Sequence, residues 1–327
     1  MLIIPRSVVQ DVLEMKKLIP LIENSLKEFS LGRCVQPETK GIDLGTETGL
    51  MEVFIGYLKD ERLMAVKTLN SRKKNPRMGK PLIYAHIALI DPDTGETLAL
   101  IEGASVTASR TAAASAVAAK YLSRKDSSRM ALIGTGRQGR THLEALLQVR
   151  PLRRITIFDE YRESAEKFRS ESLVKYDIEI EIAESAETAV KEADIIQLCT
   201  TTIEPVVFGA WVRPGTHINS IASYAPTVRE VDTELVQKAR VVTDTRQGAL
   251  RGAGELVIPL REGTISEDHL YGEIGEIAAG LKPGRMNDTE ITLYKSMGIA
   301  AEDAAAADFI YRAAKDQGFG MEISLEE

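Results

Sequence analysis

The sequence predicts an α/β chain of two domains, one a doubly wound parallel sheet and the other an α+β module. Three observations predict it. The chain has 327 residues, more than a single hydrophobic core usually serves. From Arg129 onward, short apolar runs alternate with helical stretches, the pattern of parallel strands joined by right-handed crossovers. Before that point, helix gives way to β-rich runs separated by polar turns, the pattern of an antiparallel sheet.

The elements follow in order. Val8, Val12, Leu13, Leu18, Leu21, Ile22, Leu26 and Phe29 recur at helical spacing, so residues 7–29 are predicted helical, with Pro20 in the first turn of a second helix. Residues 50–57 and 63–68 are short and β-rich. Residues 82–89 and 97–101 are strands joined by a hairpin turn at 91–95, where Pro92 and Gly95 take turn positions. Residues 105–122 form an Ala-rich helix whose small side chains permit close packing. Strands at 130–134, 154–159, 178–182, 194–199, 217–221 and 241–244 then alternate with helices at 143–149, 162–173 and 186–193. A second Ala-rich helix runs over 300–314, and 321–327 is a loose tail.

Composition excludes several classes of function. Hydrophobic residues are 44% and charged residues 27%, ordinary for a globular protein with a large core. The net charge is -7, the one basic block is Arg72-Lys73-Lys74, and 5% of residues are aromatic. A nucleic-acid partner needs a basic face and stacking platforms, so none is expected. Cys34 and Cys199 lie far apart in unlike contexts; they predict reduced thiols of a cytoplasmic protein, and no metal site. Met1-Leu2-Ile3-Ile4 runs into Pro5-Arg6 with no basic segment before it, which is not a signal peptide. No apolar run reaches the roughly 20 residues of a membrane span, so no membrane partner is expected.

Gly134-Thr135-Gly136-Arg137-Gln138-Gly139 is a G-x-G-x-x-G motif that directly follows an apolar strand and opens a helix. In that context the glycines build a dinucleotide site of the Rossmann type. Gly134 allows the tight turn, Gly136 admits the pyrophosphate, and Gly139 lets helix and strand pack closely. Asp159, twenty residues beyond Gly139, ends the next strand, where a carboxylate accepts from ribose hydroxyls and repels a 2′-phosphate. NAD is therefore expected over NADP, with Arg162 nearby as the residue that would admit NADP. Thr200 and Thr201 follow another strand at the same sheet edge, and are candidate cofactor contacts. His142 reads as a helix-face residue.

Candidates for chemistry lie in the other domain. Lys67 ends the apolar run Met64-Ala65-Val66, and Arg110 sits among small residues in Thr107-Ala108-Ser109-Arg110-Thr111-Ala112-Ala113. A guanidinium in such surroundings implies partial burial and an anionic partner. Whether that partner is a substrate carboxylate or one of the chain's own stays open. Glu52, Tyr84 and His86, on predicted strands of the same module, are candidates for the wall of a substrate pocket.

These segments resemble the ornithine cyclodeaminase/mu-crystallin family from Ile3 to about Ala314. The resemblance is carried by the Lys67 strand, residues 107–115, the glycine motif, residues 208–219, Arg229-Glu230-Val231-Asp232 and Tyr294-Lys295-Ser296-Met297-Gly298. It implies that Lys67 and Arg110 bind a substrate α-carboxylate and that Lys67 takes part in proton transfer. It also implies that Thr111 holds cofactor phosphate and that Lys295 lies beside the nicotinamide. Arg110, Arg137, Gln138, Ser223 and Gly298 complete the expected cofactor contacts. Relatives dimerise through the first domain, so a homodimer is expected. The implied division is a substrate-binding and dimerisation domain of residues 1–118 with 305–327, and a Rossmann domain of residues 119–304.

Two departures from the family pattern bear on activity. Tyr224 stands where ornithine cyclodeaminases have a general-base Asp, and Glu38-Thr39-Lys40 stands where relatives often have a carboxylate-binding Arg. Lys40 is then a point charge without a bidentate fork. Reduction of a preformed imine needs a hydride, a proton donor and a carboxylate clamp; Tyr224 or Lys67 is the expected donor. The expected activity is therefore NAD(P)H-dependent reduction of a cyclic or linear imine to an L-amino acid, such as 1-pyrroline-2-carboxylate to proline, or its reverse. The alternatives are ornithine cyclodeamination to proline and ammonia, and a non-catalytic NAD(P)-binding protein of the mu-crystallin kind.

Overall fold

The structure is a computed structural model and describes residues 1–45, 48–222 and 225–324. It divides into two compact units, Met1–Arg110 with Ile299–Glu327, and Thr111–Gly298. The divisions fall at 110/111 and 298/299 rather than at the expected 118/119 and 304/305. The first lies inside the helix Gly103–Leu122, and nothing in a continuous Ala-rich run marks the residue at which its neighbours change.

The first unit is built on one sheet. Its strand order is Met321–Glu322, Leu2–Ile4, Thr97–Glu102, Ile83–Ile90, Leu63–Arg72, Gly49–Leu58 and Cys34–Val35, and Lys40–Asp43 also pairs with Gly49–Leu58. All pairings are antiparallel except Leu2–Ile4 with Thr97–Glu102, which is parallel. One sheet face, bearing Leu58, Ala65, Ala85, Ile87, Leu89, Ala99 and Ile101, is buried. Helices Arg6–Val12, Met15–Ser30 and Ala300–Asp316 pack against this sheet. At Gly56 a Cβ would lie 2.8 Å from the Cβ of Ala300, so the missing side chain is what allows helix Ala300–Asp316 its close approach.

Two expectations are corrected in this unit. Pro20 lies in the second turn of helix Met15–Ser30, not in its first. Met15, Leu18, Ile19, Ile22 and Leu26 are all buried, and the burial of that continuous stripe outweighs the bond Pro20 forfeits. The tail is not loose throughout. Met321–Glu322 pairs with the opening strand, and the Met1 and Ile323 backbones bond each other at 3.1 and 3.0 Å. Its partner lies at the opposite end of the chain, out of reach of any local pattern.

The second unit is a sheet of eight strands, all parallel, in the order Glu179–Ile182, Arg154–Phe158, Arg129–Ile133, Ile195–Leu198, His217–Ser220, Ile291–Lys295, Ala239–Thr243 and Leu270–Glu273. This is the expected doubly wound sheet. The order reverses between Arg129–Ile133 and Ile195–Leu198, where such folds open a crevice at the carboxyl ends of the strands. Buried Val, Ile, Leu and Ala side chains fill both faces, as a sheet covered on both sides requires. Residues 270–273 and 291–295, left unassigned from the sequence, are both strands. Among the described residues, no helix is long and apolar enough to cross a membrane.

Candidate active site

The glycine turn has the geometry its sequence predicts. Gly134 has φ 92°, and a Cβ there would meet the Cys199 carbonyl oxygen at 2.4 Å. A Cβ on Gly139 would meet the Gly134 carbonyl oxygen at 2.5 Å. Gly136 differs: it is exposed, and nothing lies within 4 Å of where its Cβ would be. It is the N-cap of the eleven-residue helix Arg137–Leu147, whose first N–H groups have no acceptor within the helix. An open glycine over a helix N-terminus fits a dinucleotide pyrophosphate. Arg137 is exposed and Gln138 partly so, both in the first turn. The Arg140 guanidinium donates to the Thr135 and Gly136 carbonyls, a brace with no signal in the motif.

Asp159 sits just past the Arg154–Phe158 strand as expected, and it is tied to the turn. Its Oδ2 accepts from the Thr135 N–H at 2.8 Å and from the Thr135 hydroxyl at 2.7 Å. Its Oδ1 accepts from the Tyr161 N–H at 3.0 Å. A carboxylate offers about four acceptor positions, so capacity remains for a ribose hydroxyl. Arg162 opens helix Arg162–Lys175, exposed, and donates to Glu166 at 3.1 Å. Thr111 is buried in the helix Gly103–Leu122.

A network of buried carboxylates holds the loops beyond the strand ends. Glu230 Oε1 accepts from the Thr200 N–H and hydroxyl at 3.0 and 2.8 Å. Its Oε2 accepts from the Ser220 hydroxyl and from the Ile221 and Ala222 N–H groups, at 2.9 to 3.1 Å. One side chain thus staples the loops that follow two neighbouring strands. Asp244 Oδ2 accepts from the Ser296 hydroxyl and the Met297 and Gly298 N–H groups, which fixes Gly298. Thr201 is exposed on the first loop.

Lys295 is not on the surface. It is fully buried at the end of its strand, donates to Ser220 Oγ at 3.2 Å and lies 3.6 Å from Glu255 Oε1. Glu255 in turn accepts from Ser220 and from the Glu230 N–H. In this structure the ammonium rests on the protein's own groups. His142, expected on a helix face, is buried between the Gln138 carbonyl and the Ser115 hydroxyl, at 2.7 and 3.1 Å, and burial pulls its pKa down to about 4.

The first unit holds the second cluster. Lys67 Nζ donates to Asp303 Oδ2 at 2.5 Å and lies 4.2 Å from the Phe54 ring centre. Arg110 Nε donates to Asp303 Oδ1 at 3.1 Å, and its Nη1 to Glu302 Oε2 at 2.7 Å. All four charged side chains are at most 6% exposed. Asp303 therefore bridges both cations, one on each oxygen. Lys67 has its pKa lowered to about 8: burial disfavours the ammonium, Asp303 partly restores it, and Arg110 opposes it. Burial raises the pKa of Glu52, and Lys67 pulls it back.

Strand register decides which other candidates share this cluster. Phe54 pairs with Lys67 and Lys67 with Ile87, so these three point to the buried face. Glu52 is two residues from Phe54 and shares that face. Tyr84 and His86 pair with Asn70 and Thr68, which puts them on the opposite face, where both are exposed. Lys40 pairs with Val53, also on the opposite face, and its ammonium holds Glu38 at 3.3 Å. Expected places for Lys40, Tyr84 and His86 beside Lys67 are therefore corrected: alternation sets two faces, and only register assigns them. Ser223 and Tyr224 lie outside the described residues. No cluster of His, Cys, Asp or Glu suited to a metal occurs among the described residues.

The acidic residues that organise both sites escaped the sequence reading. Glu302 and Asp303 carry the one visible signal, two carboxylates at the head of an otherwise Ala-rich helix. Glu230 lies in one of the segments that carry the resemblance but had no role assigned to it, and Asp244 and Glu255 carry no signal, because their partners include residues distant in sequence.

Comparison with known proteins matches residues 2–318 to the model of the ornithine cyclodeaminase/mu-crystallin family. The Delta(1)-pyrroline-2-carboxylate reductase of Bacillus cereus is 32% identical over 326 residues, covering 99% of this chain and 100% of its own. Thermococcus litoralis Delta(1)-pyrroline-2-carboxylate reductase, solved in complex with NADH and L-proline, is 41% identical with a TM-score of 0.96, over 99% of this chain and 100% of its own. An archaeal alanine dehydrogenase dimer with bound NAD is 33% identical with a TM-score of 0.94, over 99% of both chains. On this sequence and this fold, the chain belongs to the ornithine cyclodeaminase/mu-crystallin family.

Proposed function

We propose that this protein is an NAD(P)-dependent oxidoreductase acting on C–N bonds, which reduces a cyclic imine carrying an α-carboxylate to the L-amino acid, with 1-pyrroline-2-carboxylate as first substrate and proline as product. The observation that carries this reading is the convergence of Lys67 and Arg110 on the two oxygens of one carboxylate. A substrate α-carboxylate needs the same two donors in the same spread. The reductases of the family, one of them solved with NADH and L-proline, support the chemistry.

In the reaction a hydride adds to the imine carbon, the C=N π pair moves to nitrogen, and nitrogen takes a proton. The nicotinamide cofactor, when bound, supplies the hydride. Arg110 stays charged at any working pH and holds the carboxylate. Lys67, with a pKa of about 8, is mostly an ammonium at neutral pH and close enough to it to give up a proton readily. Tyr224 is the second candidate donor. The turn from Gly134 to Gly139 and Thr111 would hold the cofactor phosphates, and Arg137, Gln138, Thr200, Thr201 and Gly298 would line its path, with Ser223 a further candidate contact. Asp159 favours NADH over NADPH by repelling a 2′-phosphate.

The protein works as a cytoplasmic homodimer in this reading. Ile42, Met51, Val53, Ile55 and Tyr84 share the sheet face opposite Lys67 by register, and Ile42, Ile55 and Tyr84 are exposed; a second copy would cover them. Both cysteines are free thiols, consistent with a reducing compartment. Sedimentation gives the oligomeric state. The activity is tested by following NADH with 1-pyrroline-2-carboxylate, where steady oxidation and proline formation are expected. Ammonia release from ornithine without net NADH change would overturn the reading, as would NADH binding with no turnover on any cyclic imine.

A further inference from the structure

The clamp formed by Lys67 and Arg110 is already electrically occupied. The charged groups that face it are Asp303 and Glu302 on helix Ala300–Asp316, and Glu52 on the neighbouring strand. Two cations stand against two fully buried carboxylates, with Glu52 as a third acid at the edge of the cluster. Counted over these groups among the described residues, the local charge is zero with Glu52 protonated and negative with Glu52 ionised. A bare anion entering this cluster adds an uncompensated charge to a buried site, which is costly. A ligand that brings a cationic nitrogen beside its carboxylate adds no net charge.

We propose that Glu302 and Asp303 act as a charge filter, making the Lys67–Arg110 clamp selective for zwitterionic imino and amino acids over anions of the same shape. The inference rests on the proposed function, since it takes the clamp to be the substrate site. It gives the two acids a task that a simple carboxylate receptor would not have. Such a receptor would leave its cations free of acidic partners; here Asp303 and Glu302 take up one charge for each cation. It follows that the imine is bound in its protonated, iminium form, which is the better hydride acceptor; hydride addition then leaves a neutral amine, and the proton from Lys67 turns it into the ammonium of the product. It follows also that 2-oxo acids of matching size, which lack the cationic nitrogen, are rejected even where they fit.

The test compares two rings of one shape, L-proline and cyclopentanecarboxylate, binding to the NADH-loaded protein. Calorimetry in buffers of differing ionisation heat counts the protons taken up. At neutral pH, proline is expected to bind with none, and cyclopentanecarboxylate with about one, because a cluster acid must be neutralised to admit the anion. The ratio of the two dissociation constants is then measured in Glu302→Gln and Asp303→Asn. Removing one negative charge is expected to move that ratio toward the anion by about tenfold. A ratio unchanged within about twofold in both variants, at a site of this burial, overturns the filter. Where the variants fail to fold, equal proton uptake for the two rings on the wild-type protein overturns it. A protein that oxidises NADH with the cyclic imine yet shows equal uptake has lost only the filter. A protein that neither turns over the imine nor binds either ring has lost the proposed function as well.

Discussion

Lys67 and Lys295 are both buried lysines, each paired with a carboxylate, and their surroundings differ. Lys67 faces Asp303, has Arg110 as a second cation beside it and Phe54 beneath it. Lys295 lies in a cluster in which Glu230 and Glu255 accept from backbone N–H groups and a serine. In the first cluster the carboxylates serve the cations; in the second they serve the backbone and the lysine neutralises them. The difference teaches that burial and pairing alone do not mark a reactive lysine. Under the proposed function, what sets Lys67 apart is the second cation beside it, which destabilises the ammonium.

The largest effect that would sharpen this contrast is in turnover. Lys67→Met should lower kcat by about 10³-fold through loss of the proton donor and half of the clamp, with NADH affinity within about threefold. The fold survives because Asp303 keeps Arg110. An equal loss of NADH affinity would erase the distinction between the clusters. Gly134→Ala comes next. Its φ of 92° and the Cys199 oxygen 2.4 Å from the new Cβ force the turn to move, and NADH affinity measured by fluorescence should fall at least about tenfold.

Lys295→Met should act on stability and not on chemistry. It removes the ammonium 3.6 Å from the buried Glu255, at a cost of about 3 kcal/mol in denaturant unfolding, while kcat of the folded protein stays within about fivefold. A catalytic collapse with unchanged stability would reverse the roles assigned to the two lysines. The smallest effect is in pH dependence. Lys67 must be protonated to act as the acid, so kcat/KM for the imine should fall as pH rises through about 8, by about tenfold per unit well above it. Lys67→Arg raises that group's pKa, so the decline should disappear from the profile of its lower residual activity. A decline that persists unchanged would move the proton to another donor, Tyr224 first.

Legibility in the sequence followed the range of the interactions. The glycine turn was legible to the residue, since Gly134, Gly136 and Gly139 answer to backbone geometry within six positions. Asp159 was legible as the residue at the next strand end, but not as the anchor of Thr135. Lys67 and Arg110 stood out as cations among apolar neighbours. Their partners, 236 and 193 positions away at Asp303, could not. Tyr84 and His86 fall on the face opposite Lys67, because alternation separates a strand's two faces without saying which one Lys67 shares.

By itself the sequence determined the alternating strands and helices, the dinucleotide turn and the identity of the two cations. Each of these depends on backbone freedom or side-chain period over a few residues. Only the tertiary structure decided that Met321–Glu322 pairs with the opening strand, that Lys295 is locked to Glu255 and Ser220, and that Asp303 joins Lys67 to Arg110. Those outcomes turn on strand register and on where distant segments are brought together, and in buried sites it is the neighbours, more than the residue type, that set a charge's cost and its use.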